Sequence, residues 1–169
     1  MSSQATRIYL SLGSNMGNRQ GNLNRALDML SQRVRLGKVS SVYETDPVDN
    51  INQPRFLNLA CEAYTRLEPP QMLALSKGIE SKMGRTGKTK EPRPIDIDIL
   101  LYGDQIIDTP DLVIPHPLLH ERAFVLIPLA EIAPETVHPG FNKTILTLKE
   151  TLTTPVQGVF KWEGEQESV

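Results

Sequence analysis

Two aspartates one residue apart, Asp96 and Asp98, stand in the stretch Pro92-Arg93-Pro94-Ile95-Asp96-Ile97-Asp98-Ile99-Leu100-Leu101-Tyr102-Gly103. In an extended segment alternate side chains share a face, so the two carboxylates stand side by side while Ile95, Ile97 and Ile99 face the other way. Like charges this close on an apolar element call for a compensating cation. Oxygen ligands that leave coordination positions open suit Mg²⁺, which keeps waters and takes further ligands from substrate phosphates. Just upstream, Arg85, Lys88, Lys90 and Arg93 concentrate positive charge in one short loop. Guanidinium forks neutralise phosphate oxygens, so a basic loop beside an acidic strand is what binding a metal-nucleotide complex requires. Each half also has a simpler explanation: an edge strand with solvated aspartates, and a solvated surface loop.

The elements that must position these groups follow from residue periodicity. Residues 8–12 read as a short strand, closed by the turn composition Gly13-Ser14-Asn15-Met16-Gly17-Asn18. Leu23, Ala26, Leu27, Leu30 and Val34 recur at helical spacing, with Gly37 placed to stop that helix. Residues 39–43 read as a second strand, and residues 46–54, with two prolines, as a long polar loop of the kind that often carries function. From Phe56 to Thr65 the side chains alternate, placing Leu57, Leu59, Cys61 and Ala63 on one face and Phe56, Asn58, Ala60 and Glu62 on the other. Pro69-Pro70 suits a helix start, with Met72, Leu75, Ile79 and Met83 on one face up to Gly84. Residues 95–102 form the aspartate strand, and Gly103-Asp104 turns toward a short pairing near Gln105-Ile106-Ile107. A third helix is expected near residues 122–126, ended by Pro128.

Strand, helix, strand, strand, helix, strand is the split βαβ order of an α+β, ferredoxin-like sandwich, an antiparallel sheet flanked by helices. A chain of 169 residues fits one domain, with a core at about residues 8–139 and a polar, acidic tail at 156–169 against which only Trp162 is expected to pack back. With 18 Lys plus Arg against 20 Asp plus Glu, the chain has no general attraction to nucleic acid or to an anionic membrane. The opening residues lack a signal-peptide pattern, and no run approaches the roughly 18 apolar residues of a membrane span. The single cysteine, Cys61, has no internal partner and sits in a strand interior. Together these point to a reducing compartment, the cytoplasm.

Seven short motifs run in order along the chain: Leu12-Gly13-Ser14-Asn15, Tyr43-Glu44-Thr45, Gln53-Pro54-Arg55-Phe56-Leu57-Asn58, Gly84-Arg85, Pro92-Arg93-Pro94-Ile95-Asp96-Ile97-Asp98-Ile99-Leu100, Ile114-Pro115-His116-Pro117 and Arg122-Ala123-Phe124-Val125-Leu126. In these the sequence resembles the 6-hydroxymethyl-7,8-dihydropterin pyrophosphokinase family. The resemblance implies transfer of pyrophosphate from ATP to the hydroxymethyl pterin, a step of folate biosynthesis, with two Mg²⁺ ions held by Asp96 and Asp98. It implies that Arg85 and Arg93 contact the transferring phosphates, that His116 and Arg122 contact nucleotide phosphates, and that Glu80 lies near the ribose and Ile99 near adenine. For the pterin it implies Phe56 and Phe124 on the two ring faces, Asn58 and Thr45 as polar contacts, Gly13 as a close backbone position, and Asp96 beside the hydroxymethyl group. It leaves association with other folate-pathway enzymes open.

Read without the family, Phe56 and Phe124 are equally ordinary core residues, His116 a loop histidine and Arg122 a surface residue. The match also has gaps. Some members carry an additional arginine and a tryptophan between the Gly-Arg and Pro-Arg motifs, where this chain has only Lys88 and Lys90. Asp46 stands where a second proline is common, Val48 replaces a larger apolar residue, and Asp111 occupies a position that is basic in some relatives.

Two other functions use the same features. A nucleotidyltransferase could employ the same aspartates and Mg²⁺, but would release pyrophosphate where the first reading releases AMP. A non-catalytic ferredoxin-like module would bind RNA or a protein, and would call for aromatic residues on the sheet face and a basic surface. Only 5% of residues are aromatic and the formal charge is -2.

Overall fold

The computed structural model describes residues 4–47, 52–84, 92–152 and 158–164. The chain runs β1 (Thr6–Ser14), α1 (Arg19–Ser31), β2 (Arg35–Val39), β3 (Tyr43–Thr45), β4 (Phe56–Thr65), α2 (Pro69–Lys82) and β5 (Asp96–Tyr102). A small hairpin of β6 (Ile107–Asp108) and β7 (Val113–Ile114) follows, then α3 (Ala123–Ile132). The chain continues through β8 (Val137–His138), β9 (Lys143–Thr144), α4 (Ile145–Glu150) and β10 (Val159–Lys161).

The main sheet has the order β10-β3-β4-β1-β5, with β2 also paired to β4. Every pair is antiparallel. Because β2 and β3 share one side of β4, they act as a single interrupted strand, and the α+β ferredoxin-like sandwich results. Alternation decides the two cores. Ile8, Leu10, Leu12, Leu57, Leu59, Cys61 and Ala63 face α1 and α2. Tyr9 and Ala60 face α3 and α4, against Leu126, Leu129 and Ile145.

Local chemistry sets the helix ends. The Asn18 side chain accepts the Gly21 backbone N–H to cap α1, and Glu68 with Gln71 forms a capping box before Pro69 and Pro70 at the start of α2. Gly84 ends that helix region at φ +94°, a conformation glycine adopts without strain.

Several expectations are corrected. The helix α1 stops at Ser31, and Gly37 lies inside β2, where the pairing with β4 shifts between Leu36 and Val39. A Cβ there would collide with the Glu62 carboxylate, so close approach of two strands, not a helix stop, explains this glycine. The strand expected at 39–43 divides into β2 and β3 around Ser40, whose N–H still donates to Ala60 O while its hydroxyl, in place of its carbonyl, accepts the Ala60 N–H. Pro128 does not end α3 but sits within it, and the helix continues to Ile132. An internal proline costs about 3 kcal/mol or more. Burial of Val125, Leu126, Pro128, Leu129 and Ile132 outweighs that. Residues 159–161 of the tail pair with β3 as an edge strand, and Trp162 packs on the α1–α2 core as expected. Among the described residues no helix is long and apolar enough to cross a membrane.

Candidate active site

Register gathers Gly13, Thr45, Phe56, Asn58, Asp96 and Asp98 at one end of the sheet. Asp96 pairs with Gly13, Gly13 with Asn58, and Asn58 with Tyr43, so one row crosses β5, β1, β4 and β3. Neighbouring rows set Asp98 opposite Ser11 and Phe56 opposite Thr45. By alternation all these side chains project from the α3 face of the sheet.

On the β3–β4 side, Asn58 is buried and its Nδ2 donates to Thr45 Oγ1 at 2.6 Å. That bond spends one donor and fixes the amide plane, directing Oδ1 over Gly13. A Cβ on Gly13 would lie 2.5 Å from Asn58 Oδ1 and 3.4 Å from the Phe56 ring, so only glycine leaves the amide and the ring their places. Phe56 and Phe124 are each partly exposed, and among the described residues neither ring stacks on another aromatic ring. Each instead lies under a cation: Arg93 is 6.0 Å from the Phe56 centroid and Arg122 is 5.4 Å from that of Phe124.

On the β5 side, Asp96 and Asp98 are partly exposed, and Arg93 Nη1 lies 3.3 Å from Asp96 Oδ2. The guanidinium therefore supplies part of the compensating charge that the aspartate pair requires. Among the described residues no group of three or more His, Cys, Asp or Glu side chains gathers to hold a metal. Two carboxylates on a strand edge are the wrong donor set for a closed metal cage. They fit an ion such as Mg²⁺ that draws its remaining ligands from water and phosphate.

His116, the residue directly after the cis Ile114-Pro115 bond, is anchored by its backbone N–H to Leu100 O at 3.0 Å. Its pKa is pushed down to about 4, first by burial and then by the Arg122 charge, with Asp96 pulling the other way. The imidazole is thus neutral at pH 7. Its Nδ1 accepts the Leu118 N–H at 3.1 Å, which leaves Nε2–H as a donor toward an anionic ligand.

Glu80 and Ile99 are not brought to the aspartate face. Ile99 is packed in the α1–α2 core, and Glu80, 3% exposed, accepts the Ile97 backbone N–H at 2.8 Å from beneath the edge strand. Lys77 lies 3.9 Å from Glu80 and lines a cleft of about 550 Å³ between α2 and the β6–β7 hairpin, with Leu73, Asp111 and Leu112. Arg85 lies outside the described residues, as do Lys88 and Lys90.

Two arrangements went unread in the sequence. Buried Asn15 takes the Arg93 N–H on Oδ1 (2.8 Å) and donates from Nδ2 to Gln53 Oε1 (2.9 Å) and to Pro54 O (3.3 Å). It ties β1 to both flanking loops; an asparagine just past a strand in a Gly-Ser-Asn turn was the available signal. Glu131 on α3 accepts from the Ser41 N–H, the Ser41 hydroxyl and the Tyr43 hydroxyl. Burial and the facing carboxylate raise the Tyr43 pKa to about 12. Burial alone would raise Glu131, but the Tyr43 and Ser41 hydrogen bonds and the Lys161 charge hold it below its usual value. Nothing in the local sequence pairs these residues, which are about ninety positions apart.

Residues 9–134 match the family model for 7,8-dihydro-6-hydroxymethylpterin-pyrophosphokinase (HPPK). The chain is 48% identical over 127 residues to the 2-amino-4-hydroxy-6-hydroxymethyldihydropteridine pyrophosphokinase of Bacillus subtilis, covering 73% of this chain and 76% of that protein. It is 41% identical to the enzyme of the same name from Aquifex aeolicus, covering 84% and 89%. A folate synthesis bifunctional protein of Arabidopsis thaliana is 39% identical over 92% of this chain, which spans 33% of that protein. A crystal structure of an HPPK-DHPS in complex with substrates superposes with a TM-score of 0.72 at 18% identity, over 88% of this chain and 43% of that one, and so shares the fold. The chain belongs to the 7,8-dihydro-6-hydroxymethylpterin-pyrophosphokinase family.

Proposed function

We infer that the row joining Asn58, Gly13 and Asp96 is where this enzyme carries out its family's reaction: pyrophosphate passes from ATP to 6-hydroxymethyl-7,8-dihydropterin, giving the pterin pyrophosphate and AMP in folate biosynthesis. The observation that carries the assignment is the register, which leaves only β1 between the amide and aromatic ring on β4 and the two carboxylates on β5. The pterin ring lies between Phe56 and Phe124, with its edge read by the Asn58 amide and Thr45. A flat heterocycle gains from offset aromatic faces on both sides.

Asp96 and Asp98 hold Mg²⁺ together with the ATP phosphates. Held by these two residues, Mg²⁺ would supply charge neutralisation for the phosphate oxygens. Arg85 and Arg93 neutralise the transferring group, and Arg122 the remaining phosphate. His116, with its Nδ1 taken by the Leu118 N–H, donates from Nε2 to a phosphate oxygen. The acceptor oxygen bonds to the β-phosphorus as the bridge to the α-phosphate breaks. Asp96 is the carboxylate placed to take the hydroxyl proton. Such transfers ask a protein mainly for positioning and charge neutralisation.

The nucleoside end of ATP occupies the apolar cleft between α2 and the β6–β7 hairpin. Glu80 is linked to that cleft through Lys77, and Ile99 is assigned to the adenine side on the family resemblance. Asp111, exposed on the cleft, stands where an arginine fork would otherwise hold the nucleotide. The buried Cys61 thiol, its pKa pushed up to about 12 by burial, fits a reducing cytoplasm. The bifunctional relatives make association with other folate enzymes a reasonable arrangement for this chain.

Incubation with ATP, Mg²⁺ and the reduced hydroxymethyl pterin, followed by mass analysis, tests the reaction. Pterin pyrophosphate with AMP is expected. Nucleotidylated pterin with free pyrophosphate would overturn the reading in favour of a nucleotidyltransferase.

A further inference from the structure

We propose that β10 and Trp162 form a strap that holds the pterin pocket in shape, with Trp162 as a positioning residue for the acceptor. The proposal rests on the reading of Thr45, Phe56 and Asn58 as the acceptor site.

The strand β3 is only three residues long, yet it supplies Thr45, the hydroxyl that fixes the Asn58 amide. Its outer side is covered by β10, with Val159 opposite Thr45, Phe160 opposite Glu44 and Lys161 opposite Tyr43. Two further backbone bonds close the ends of this pairing: Asp46 N–H to Gly158 O at 3.0 Å and Trp162 N–H to Val42 O at 2.7 Å. A strand this short, paired on one side only, is weakly held. Pairing on both sides fixes its register, and with it the Thr45 hydroxyl.

Trp162 extends the hold to the stacking ring. Its indole packs on the α1–α2 core and lies under the Arg19 guanidinium at 5.1 Å. Arg19 Nη1 then donates to Glu44 Oε2 on β3 at 2.9 Å and to the Arg55 carbonyl at 3.0 Å. Arg55 directly precedes Phe56 and pairs through Nε with Asp46 at 3.0 Å. One aromatic face thus fixes a guanidinium that bridges the strand carrying Thr45 and the residue before Phe56. The indole Nε1 is buried with no hydrogen-bond partner among the described residues. Its flat surface, not its donor, is therefore what the site uses, and phenylalanine can supply that.

The strap sits at the sheet edge opposite the aspartates, in the order β10-β3-β4-β1-β5. Loosening it must act on the acceptor before it acts on ATP. The bonds at Gly158 and Trp162 place Phe160 in a hydrogen-bonded pair with Glu44, since such pairs alternate along an antiparallel ladder. Phe160 itself is exposed, so Phe160→Pro removes the ladder bond without emptying a core position.

Steady-state kinetics of the full chain carrying W162A, F160P, W162F or N58A, run well below each variant's Tm, tests the strap. W162A and F160P should raise KM for the pterin by about tenfold while KM for ATP and kcat change by less than about threefold, the pattern of lost positioning at one substrate. W162F should restore the wild-type pterin KM. Unchanged pterin KM in W162A and F160P, or equal losses for both substrates, would overturn the strap while a raised KM in N58A keeps the acceptor site. Unchanged pterin KM in N58A would overturn the acceptor site and the strap together.

Discussion

Glu80 Oε2 accepts the backbone N–H of Ile97, the residue between the two aspartates, at 2.8 Å. Ile97 pairs with Leu12 on one side, and its N–H points off the open edge of β5, where α2 brings the carboxylate under it. The strand that carries the aspartates is thereby pinned from behind. Glu80→Ala leaves that buried N–H unpaired, which costs about 1–3 kcal/mol. Glu80→Gln keeps an acceptor and should lose less than half as much in urea denaturation; equal losses would mean the bond does not support the strand.

Asp98 is assigned to metal and phosphate, not to the pterin. Asp98→Ala should lower kcat by about 10²-fold or more, the scale of removing one group that stabilises developing charge. Pterin affinity measured by calorimetry should stay near the wild-type value. Near-normal turnover at saturating Mg²⁺ would remove Asp98 from the mechanism.

Asn15 joins the two loops that flank the site, so its variants separate them. Asn15→Asp keeps the acceptor for the Arg93 N–H but loses the donors to Gln53 and Pro54, and should raise KM for the pterin more than for ATP. Asn15→Ala loses both sides and should destabilise the fold by about 1–3 kcal/mol through unpaired buried groups. Kinetics for both substrates, with thermal unfolding, checks the pair.

Phe56→Ala should weaken pterin binding by about 0.5–1.5 kcal/mol for the lost stack, with lost burial added. Titration calorimetry with ATP analogue present reads this directly. Unchanged affinity would return Phe56 to a packing role.

His116 gives the fold an acid-side pH dependence. Its pKa falls from 6.5 in the unfolded chain to about 4 when folded, so between these values the unfolded chain binds the proton more readily. The contribution is fully present above pH 6.5 and is lost as pH drops toward 4. His116→Asn should flatten that part of the stability curve. An imidazole that titrates near 6.5 by NMR in the folded protein would contradict the burial described.

The Phe56–Thr65 strand and its two faces were legible because alternation there is regular and both faces are buried. The alternation of Asp96 and Asp98 with buried Ile97 and Ile99 was legible from the same period of two. Pro128 misled because local propensity marks a helix end, whereas the all-round burial of α3 is set by partners distant in sequence. The Glu80 hydrogen bond was hidden for another reason: nothing in the chain order reveals that its carboxylate lies under Ile97. β10 was hidden by its polar surroundings, since an edge strand paired on one side needs no apolar alternation.

If Asp96 and Asp98 together hold the metal that organises ATP, the number of bound ions depends on both side chains. Electron paramagnetic resonance can count Mn²⁺ bound to the complex with a non-hydrolysable ATP analogue and the pterin. Two ions per chain are predicted in the wild type, with loss of at least one in both Asp96→Asn and Asp98→Asn. Unchanged stoichiometry and affinity in both variants would contradict it.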